Sequence, residues 1–259
     1  MRIAVVNDTS GYHFGCNMVM RVLRENVVER GHEIVGEVRR GDRWMRNRPM
    51  LDQADLVLVN GEGSIHDDKR QDLLEVAGEY SAVLINATVC RNAIPEAARL
   101  FRGVYVREHL SADEWESQTG ERPKVVPDLS LDHPAPPIIQ PTEDIGRFDS
   151  VANKDWRNGW MKPGGDEFAI EAQRYRRWVT GRFHGVCLAI LCRRAFSAYP
   201  PNTWKIEGLM ADAGLSDDYR ESREAALENL PDAPRPEAET YLRHARQAIP
   251  AMFDELLAA

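Results

Sequence analysis

Short apolar runs closed by glycine, asparagine or aspartate recur through the first half of the chain. Arg2–Asn7 reads as a buried strand. His32–Val38 alternates polar and apolar residues and reads as a strand nearer a sheet edge. Ala54–Asn60, Ser81–Asn86, Gly103–Arg107 and Lys124–Asp128 follow as further strands. Helical spacing fills the gaps. From about Asn17 to Arg30, Met18, Val19, Val22, Leu23, Val27 and Val28 supply an apolar face, and Gly31 stops the helix. Helical stretches are expected near Asp68–Glu79, Pro95–Phe101 and Ala112–Gln118, the last opened by the capping-box spacing of Ser111 and Glu114. Short strands separated by helices predict a mostly parallel sheet covered on both faces.

The pattern then changes. Four prolines within Asp132–Thr142 mark a stiff extended linker, placed at 133–142 between a domain at 1–132 and a second, shortened α/β domain at 143–215. In that second domain, Gly146–Val151 is an expected strand. Asn153–Gly165 is a loop carrying Trp156 and Trp160, which could stack on a sugar. Asp166–Arg177 is an expected helix, Trp178–Gly181 a short strand and His184–Cys192 a buried helix. Ala195–Tyr199 is a strand, and Trp204–Ala213 a helix before Gly214. The tail, 216–259, carries two amphipathic helices around Pro231, Pro234 and Pro236. Two α/β units joined by one linker suit a ligand held beyond the carboxyl ends of the strands.

Composition narrows the classes. The 259 residues are 43% hydrophobic and 29% charged, which disfavours disorder, collagen and coiled coil. Lys+Arg is 33 against Asp+Glu 41, a net charge of −8 that argues against a nucleic-acid binder. The longest apolar run, Val186–Cys192, is too short to span a bilayer, and Arg2–Val6 leads straight into a strand with no signal peptide expected. Cys16, Cys90, Cys187 and Cys192 form no CxxC pair and read as buried reduced thiols, consistent with a cytoplasmic location and no metal site.

Polar and glycine residues collect where strands end: Asn7–Gly11, Asn60–Asp67, Arg107-Glu108, Pro127-Asp128 and Gly181–Gly185. Gly61-Glu62-Gly63-Ser64 would let backbone amides approach an anion at a helix start, with His66 near it. It departs from a dinucleotide fingerprint, since position 66 is His and the loop follows the third strand. Gly181-Arg182-Phe183-His184-Gly185 is the most informative stretch. A guanidinium suited to phosphate or carboxylate and an imidazole suited to proton transfer stand two residues apart, anchored by an apolar helix. Asp67-Asp68 reads as first-turn acidic residues in preference to metal ligands.

Taken together, these stretches resemble the polysaccharide pyruvyl transferase family. The resemblance rests on the loop from Asn7 through Gly11–Gly15, the Gly61–Ser64 loop, the run Val104–Ser111, Val125-Val126-Pro127-Asp128, the Gly181–Gly185 turn, and Tyr199 with Lys205. It covers about residues 1–215, and the Val-Arg-Glu-x-x-Ser run followed by Arg-Phe-His-Gly is its specific part. Glu62 interrupts the family's usual triple-glycine loop, and the second domain is short. The resemblance implies two Rossmann-like units in a glycosyltransferase-B-like arrangement, the second shortened. It also implies transfer of pyruvate from phosphoenolpyruvate, as co-substrate, to a sugar or glycan acceptor as a ketal, with release of phosphate. Arg107 and Arg182 would bind the donor and His184 would be the general acid. Asn7, Gly61, Glu62, Gly63, Ser64, His66, Asp128 and Lys205 would line a cleft, with no metal and no other cofactor. One alternative is a glycosyltransferase of the same architecture, with Arg182 and Lys205 on a nucleotide-sugar diphosphate and His66 or His184 as base. A non-catalytic binding subunit is a second alternative, and a homo-oligomer stays open.

Overall fold

The computed structural model describes residues 1–63, 65–134, 136–150 and 165–258. It divides into two units. Unit 1 comprises Met1–Thr9, Met20–Pro127 and Ala248–Ala259, and unit 2 comprises Ser10–Val19 and Asp128–Gln247. The division therefore falls at Pro127/Asp128, before the proline-rich stretch, and again within the first and last long helices. The tail beyond residue 216 is shared between the two units.

Unit 1 runs β1 (Arg2–Asp8), α1 (Phe14–Glu29), β2 (Glu33–Arg39), α2 (Arg48–Leu51), β3 (Leu56–Asn60), α3 (Gln71–Glu75), β4 (Ala82–Ala87), β5 (Gly103–Val106), α4 (His109–Thr119) and β6 (Lys124–Val125). The strands form one parallel sheet in the order β2-β1-β3-β4-β5-β6. Every residue of β3 and β4 is buried, as central parallel strands covered on both faces require. The alternating strand β2 and the two-residue β6 stand at the edges. The order reverses between β1 and β3, the position at which open α/β sheets bind ligands.

Helix boundaries depart from the sequence pattern for identifiable reasons. α1 begins three residues earlier than the apolar spacing predicts, and Val28, expected on its buried face, is exposed. Gly31, at φ +75°, ends it by donating its N–H to the Val28 carbonyl. The helix expected at Asp68–Glu79 is only α3 plus one 3-10 turn, and Pro95–Phe101 is a 3-10 turn over Glu96–Leu100. α4 is capped by Glu108, whose carboxylate accepts from the Ser111 N–H at 2.8 Å, not by Ser111. The Ser111 hydroxyl is drawn off to the Glu108 carboxylate and accepts from the Val89 N–H.

Unit 2 runs β7 (Glu143–Ser150), α5 (Gly165–Ala172), β8 (Tyr175–Gly181), α6 (Phe183–Leu191), β9 (Ala195–Ala198), α7 (Lys205–Asp212), α8 (Arg223–Glu228) and α9 (Pro236–Leu257), the last continuing into unit 1. Its sheet is parallel and three-stranded, β7-β8-β9. The fold class is thus α/β with two parallel, Rossmann-like sheets, the second with half as many strands as the first. The helix expected to run to Arg177 ends at Ala172, and β8 takes over the residues from Tyr175. All nine residues of α6 are buried, the behaviour of a helix that is apolar all round. Among the described residues, no helix is long and apolar enough to cross a membrane.

Three phenols record the density of this packing. Burial pushes Tyr105, Tyr199 and Tyr219 up to about 12, helped by the nearby carboxylates of Glu255, Asp149 and Glu207 respectively. Unfolded tyrosine titrates near about 10. The folded chain then holds these protons more tightly than the unfolded one. Stability is therefore intact below about pH 10 and falls as pH rises towards about 12. Urea midpoints followed across that window are expected to drop, and flat midpoints would mean the phenols ionise alike in both states.

Candidate functional site

The carboxyl edge of the unit 2 sheet gathers side chains of opposite charge. Asp149 near the end of β7 and Arg182 just after β8 form a two-point ion pair. Arg182 Nε and Nη2 donate to the Asp149 carboxylate at 2.9 and 3.0 Å, with both side chains nearly buried. Planar fork-to-carboxylate geometry of this kind fixes the guanidinium in one orientation. Glycines let the turn pack this closely. A Cβ on Gly181 would lie 2.4 Å from Ser150 Cβ and 2.5 Å from the Tyr199 ring, and one on Gly185 would lie 2.3 Å from Thr180 Oγ1. Tyr199 in turn donates to the Phe148 carbonyl at 3.0 Å.

α6 starts directly after Arg182, whose own side chain makes no capping hydrogen bond. His184 is the second residue of that helix and is 7% exposed. Its Nε2 stands 3.6 Å from Asp128 Oδ1. Asp128 is fully buried and accepts from the Ser130 N–H and hydroxyl at 2.9 and 2.5 Å. Two residues of the sequence-derived set are thereby brought together with the Arg182 turn. Lys205, at the start of α7, donates to Asn202 Oδ1 at 3.1 Å.

The other side of His184 meets the segment 10–19. Its ring packs edge-on against His13, with centroids 5.1 Å apart. Gly15 passes so close that an added Cβ would lie 2.2 Å from His184 Cγ. Cys16, buried in the first turn of α1, has its sulfur 3.3 Å from His13 Nε2. Neither His13 nor Cys16 was singled out from the sequence, because an isolated buried cysteine reads as inert. The signal that would have found them is the His-x-x-Cys spacing at the start of a helix.

Unit 1 holds the remaining predicted residues at its own carboxyl edge. Asn7, buried and at φ +72°, donates to the Asn60 carbonyl at 2.6 Å and accepts from Arg70 at 3.2 Å. The glycine loop does not stand at a helix start. It leads into turns that reach α3 only at Gln71, and the Gly61 and Glu62 amides are committed to the Ile85 carbonyl and Asn60 Oδ1. Gly63 adopts φ +61°, and the Glu62 carboxylate accepts from Thr9 Oγ1 at 2.5 Å, which brings negative charge to the loop. Ser64, Trp156 and Trp160 lie outside the described residues. His66 pairs with Asp67 at 2.9 Å. That hydrogen bond first, and Arg91 second, hold the Asp67 carboxyl below its ordinary range. Asp67 and Asp68 are left-handed turn residues ahead of α3, not its first turn. Arg107 is 1% exposed and donates from Nε and Nη2 to Thr88 Oγ1 at 3.1 and 2.6 Å.

One feature of this edge is invisible in the residue pattern. Asn7 and Asn86 take positive φ near the ends of β1 and β4, and Asp67, Asp68, Arg70 and Arg91 take it in the segments that follow β3 and β4. Backbone strain of about 1–3 kcal/mol per residue persists only where the surroundings enforce it, and it concentrates at functional edges.

No family model and no curated protein matches the chain. Among solved structures, a protein of uncharacterised function from Klebsiella pneumoniae aligns with a TM-score of 0.56 and 13% identity, over 85% of this chain and 93% of its own. An alpha-glucosyltransferase in complex with UDP-glucose and DNA containing an abasic site aligns with a TM-score of 0.44 and 8% identity, over 96% of this chain and 95% of its own. The first likeness is one of fold alone.

Proposed function

We propose that the chain is a transferase that moves pyruvate from phosphoenolpyruvate onto two hydroxyls of a sugar or glycan precursor, forming a cyclic ketal and releasing phosphate. The observation that supports this reading best is the β8–α6 turn, where a fixed guanidinium and a buried imidazole stand at one helix start. Asp149 occupies one edge of the Arg182 fork. The other edge, together with the first amides of α6, suits a phosphate or carboxylate.

In this reading His184 protonates the methylene carbon of the enol ester, and C2 becomes electrophilic. One sugar hydroxyl adds at C2, the C2–O bond to phosphate breaks, and the second hydroxyl closes the ketal. Of the two hydroxyl protons, one replaces the proton given by His184 and the other leaves with phosphate. Asp128 Oδ1, 3.6 Å from Nε2, faces the ring that would carry this proton.

Thermal melts with phosphoenolpyruvate and with a panel of nucleotide sugars separate this from a glycosyltransferase. Ligand at about 100 times its Kd stabilises by about 2.7 kcal/mol. Phosphoenolpyruvate is expected to raise the melting temperature, and Arg182→Lys to weaken that response. A response to nucleotide sugars alone would replace the reading with glycosyl transfer. Binding of phosphoenolpyruvate without phosphate release, for any acceptor tried, would leave only a binding subunit.

A further inference from the structure

We propose that His13, Cys16 and His184 form a binding site for a zinc-class divalent cation, and that a metal there and the proton-donor role of His184 exclude one another. The three side chains each offer a nitrogen or sulfur, all within 4.8 Å of one another. A tetrahedral zinc site with N and S ligands places neighbouring donors about 3.3–3.6 Å apart, given metal distances of about 2.0–2.3 Å. The His13 Nε2 to Cys16 Sγ distance is already 3.3 Å. Closing the third corner needs donors now within 4.8 Å of one another to come to about 3.6 Å.

The donor set selects the metal class. Two imidazoles and a thiolate suit zinc, cobalt or nickel and give magnesium or calcium little to bind. Local structure favours the thiolate that such a metal needs. Cys16 is the third residue of α1, in the helix's first turn, where the dipole stabilises negative charge. Cys192 differs sharply. Burial pushes its thiol up to about 12. Gly15 is what lets the ring of His184 reach this turn at all, because any Cβ there would overlap it.

A ligating imidazole gives the metal the lone pair that a proton would occupy. A metal on His184 therefore removes the imidazolium donor. This second half of the proposal rests on the functional reading above, whereas the metal site itself does not.

The test uses the full chain, freed of metal with a chelator. Zinc is titrated in competition with a chromophoric chelator, and cobalt is followed by its thiolate-to-metal charge-transfer absorption. One equivalent of each metal and a clear thiolate band are expected. Cys16→Ser should abolish the band, and His13→Ala should weaken zinc binding by about 10- to 100-fold or more, a loss seen even for groups that only support a ligand. Cys192→Ser should leave the band in place, which also controls for misfolding. Absence of competition, or a band that survives Cys16→Ser, would overturn the site. Phosphate release that persists with the site full of zinc would overturn the exclusion. Zinc binding without any phosphoenolpyruvate response would sink the functional reading alone, and the converse result would sink the metal site alone.

Discussion

Phosphate release from phosphoenolpyruvate is expected to fall by about 100- to 10,000-fold in His184→Gln, the range attached to loss of a positioned general acid. Glutamine is near histidine in size and keeps a hydrogen-bonding end, so the packing of α6 survives. That helix is buried at every position, which gives the side chain at 184 little room to relocate and partly compensate. Phosphoenolpyruvate should still raise the melting temperature of the variant, because Arg182 and its Asp149 clamp are untouched. Turnover equal to the parent would remove His184 from the acid role. Loss of binding together with turnover would recast it as a donor-binding residue.

Gly15→Ala should be the most damaging small substitution in the segment 10–19. The new methyl would stand 2.2 Å from His184 Cγ and 2.4 Å from its Cβ. The second of these atoms, Cβ, is the root of the side chain and does not move with the rotamer, so the helix or the segment must shift. Overpacking of this kind costs about 1–3 kcal/mol. In a chain of this size each kcal/mol lowers the melting temperature by about 2–4 °C. Phosphate release and zinc affinity are expected to fall together, since both depend on where the His184 ring lies. Gly11→Ala is the matched control. It has nothing within 4 Å of an added Cβ among the described residues and should change stability by less than about 0.5 kcal/mol. If the two alanines behaved alike, the close approach of Gly15 to His184 would be wrong.

The central strands were readable because parallel strands covered on both faces leave no polar alternation, and β3 and β4 show none. The edge position of β2 was readable for the opposite reason. Helix ends were harder. Glu108 caps α4 although Ser111 has the better spacing, because the serine hydroxyl is drawn to Glu108 and to the backbone of Val89. The Arg182–His184 turn stood out because glycines flank it and an apolar helix follows. Its partners did not. Asp149 lies more than thirty residues upstream in β7, and its pairing with Arg182 is set by strand register alone. The His13–Cys16 pair was hidden by the habit of reading a solitary cysteine as core. The left-handed residues of unit 1 were hidden because aspartate and arginine do not announce that conformation as glycine does.

The path of the chain also sets an order of events during synthesis. Unit 1 contains the first strand and also the residues from Ala248 onward. There Phe253 is fully buried, and Arg30 donates to Asp254 and to the Pro250 carbonyl at 2.8 and 2.9 Å. The six-stranded sheet is translated by residue 125, yet the helical turns that complete its unit emerge about 120 residues later. At about 5–20 residues per second, that is about 6–24 s on the ribosome. Through that interval the nascent sheet carries an unfilled apolar seat beside Arg30, and a premature stop in the last quarter of the message but before residue 247 would leave both units unfinished.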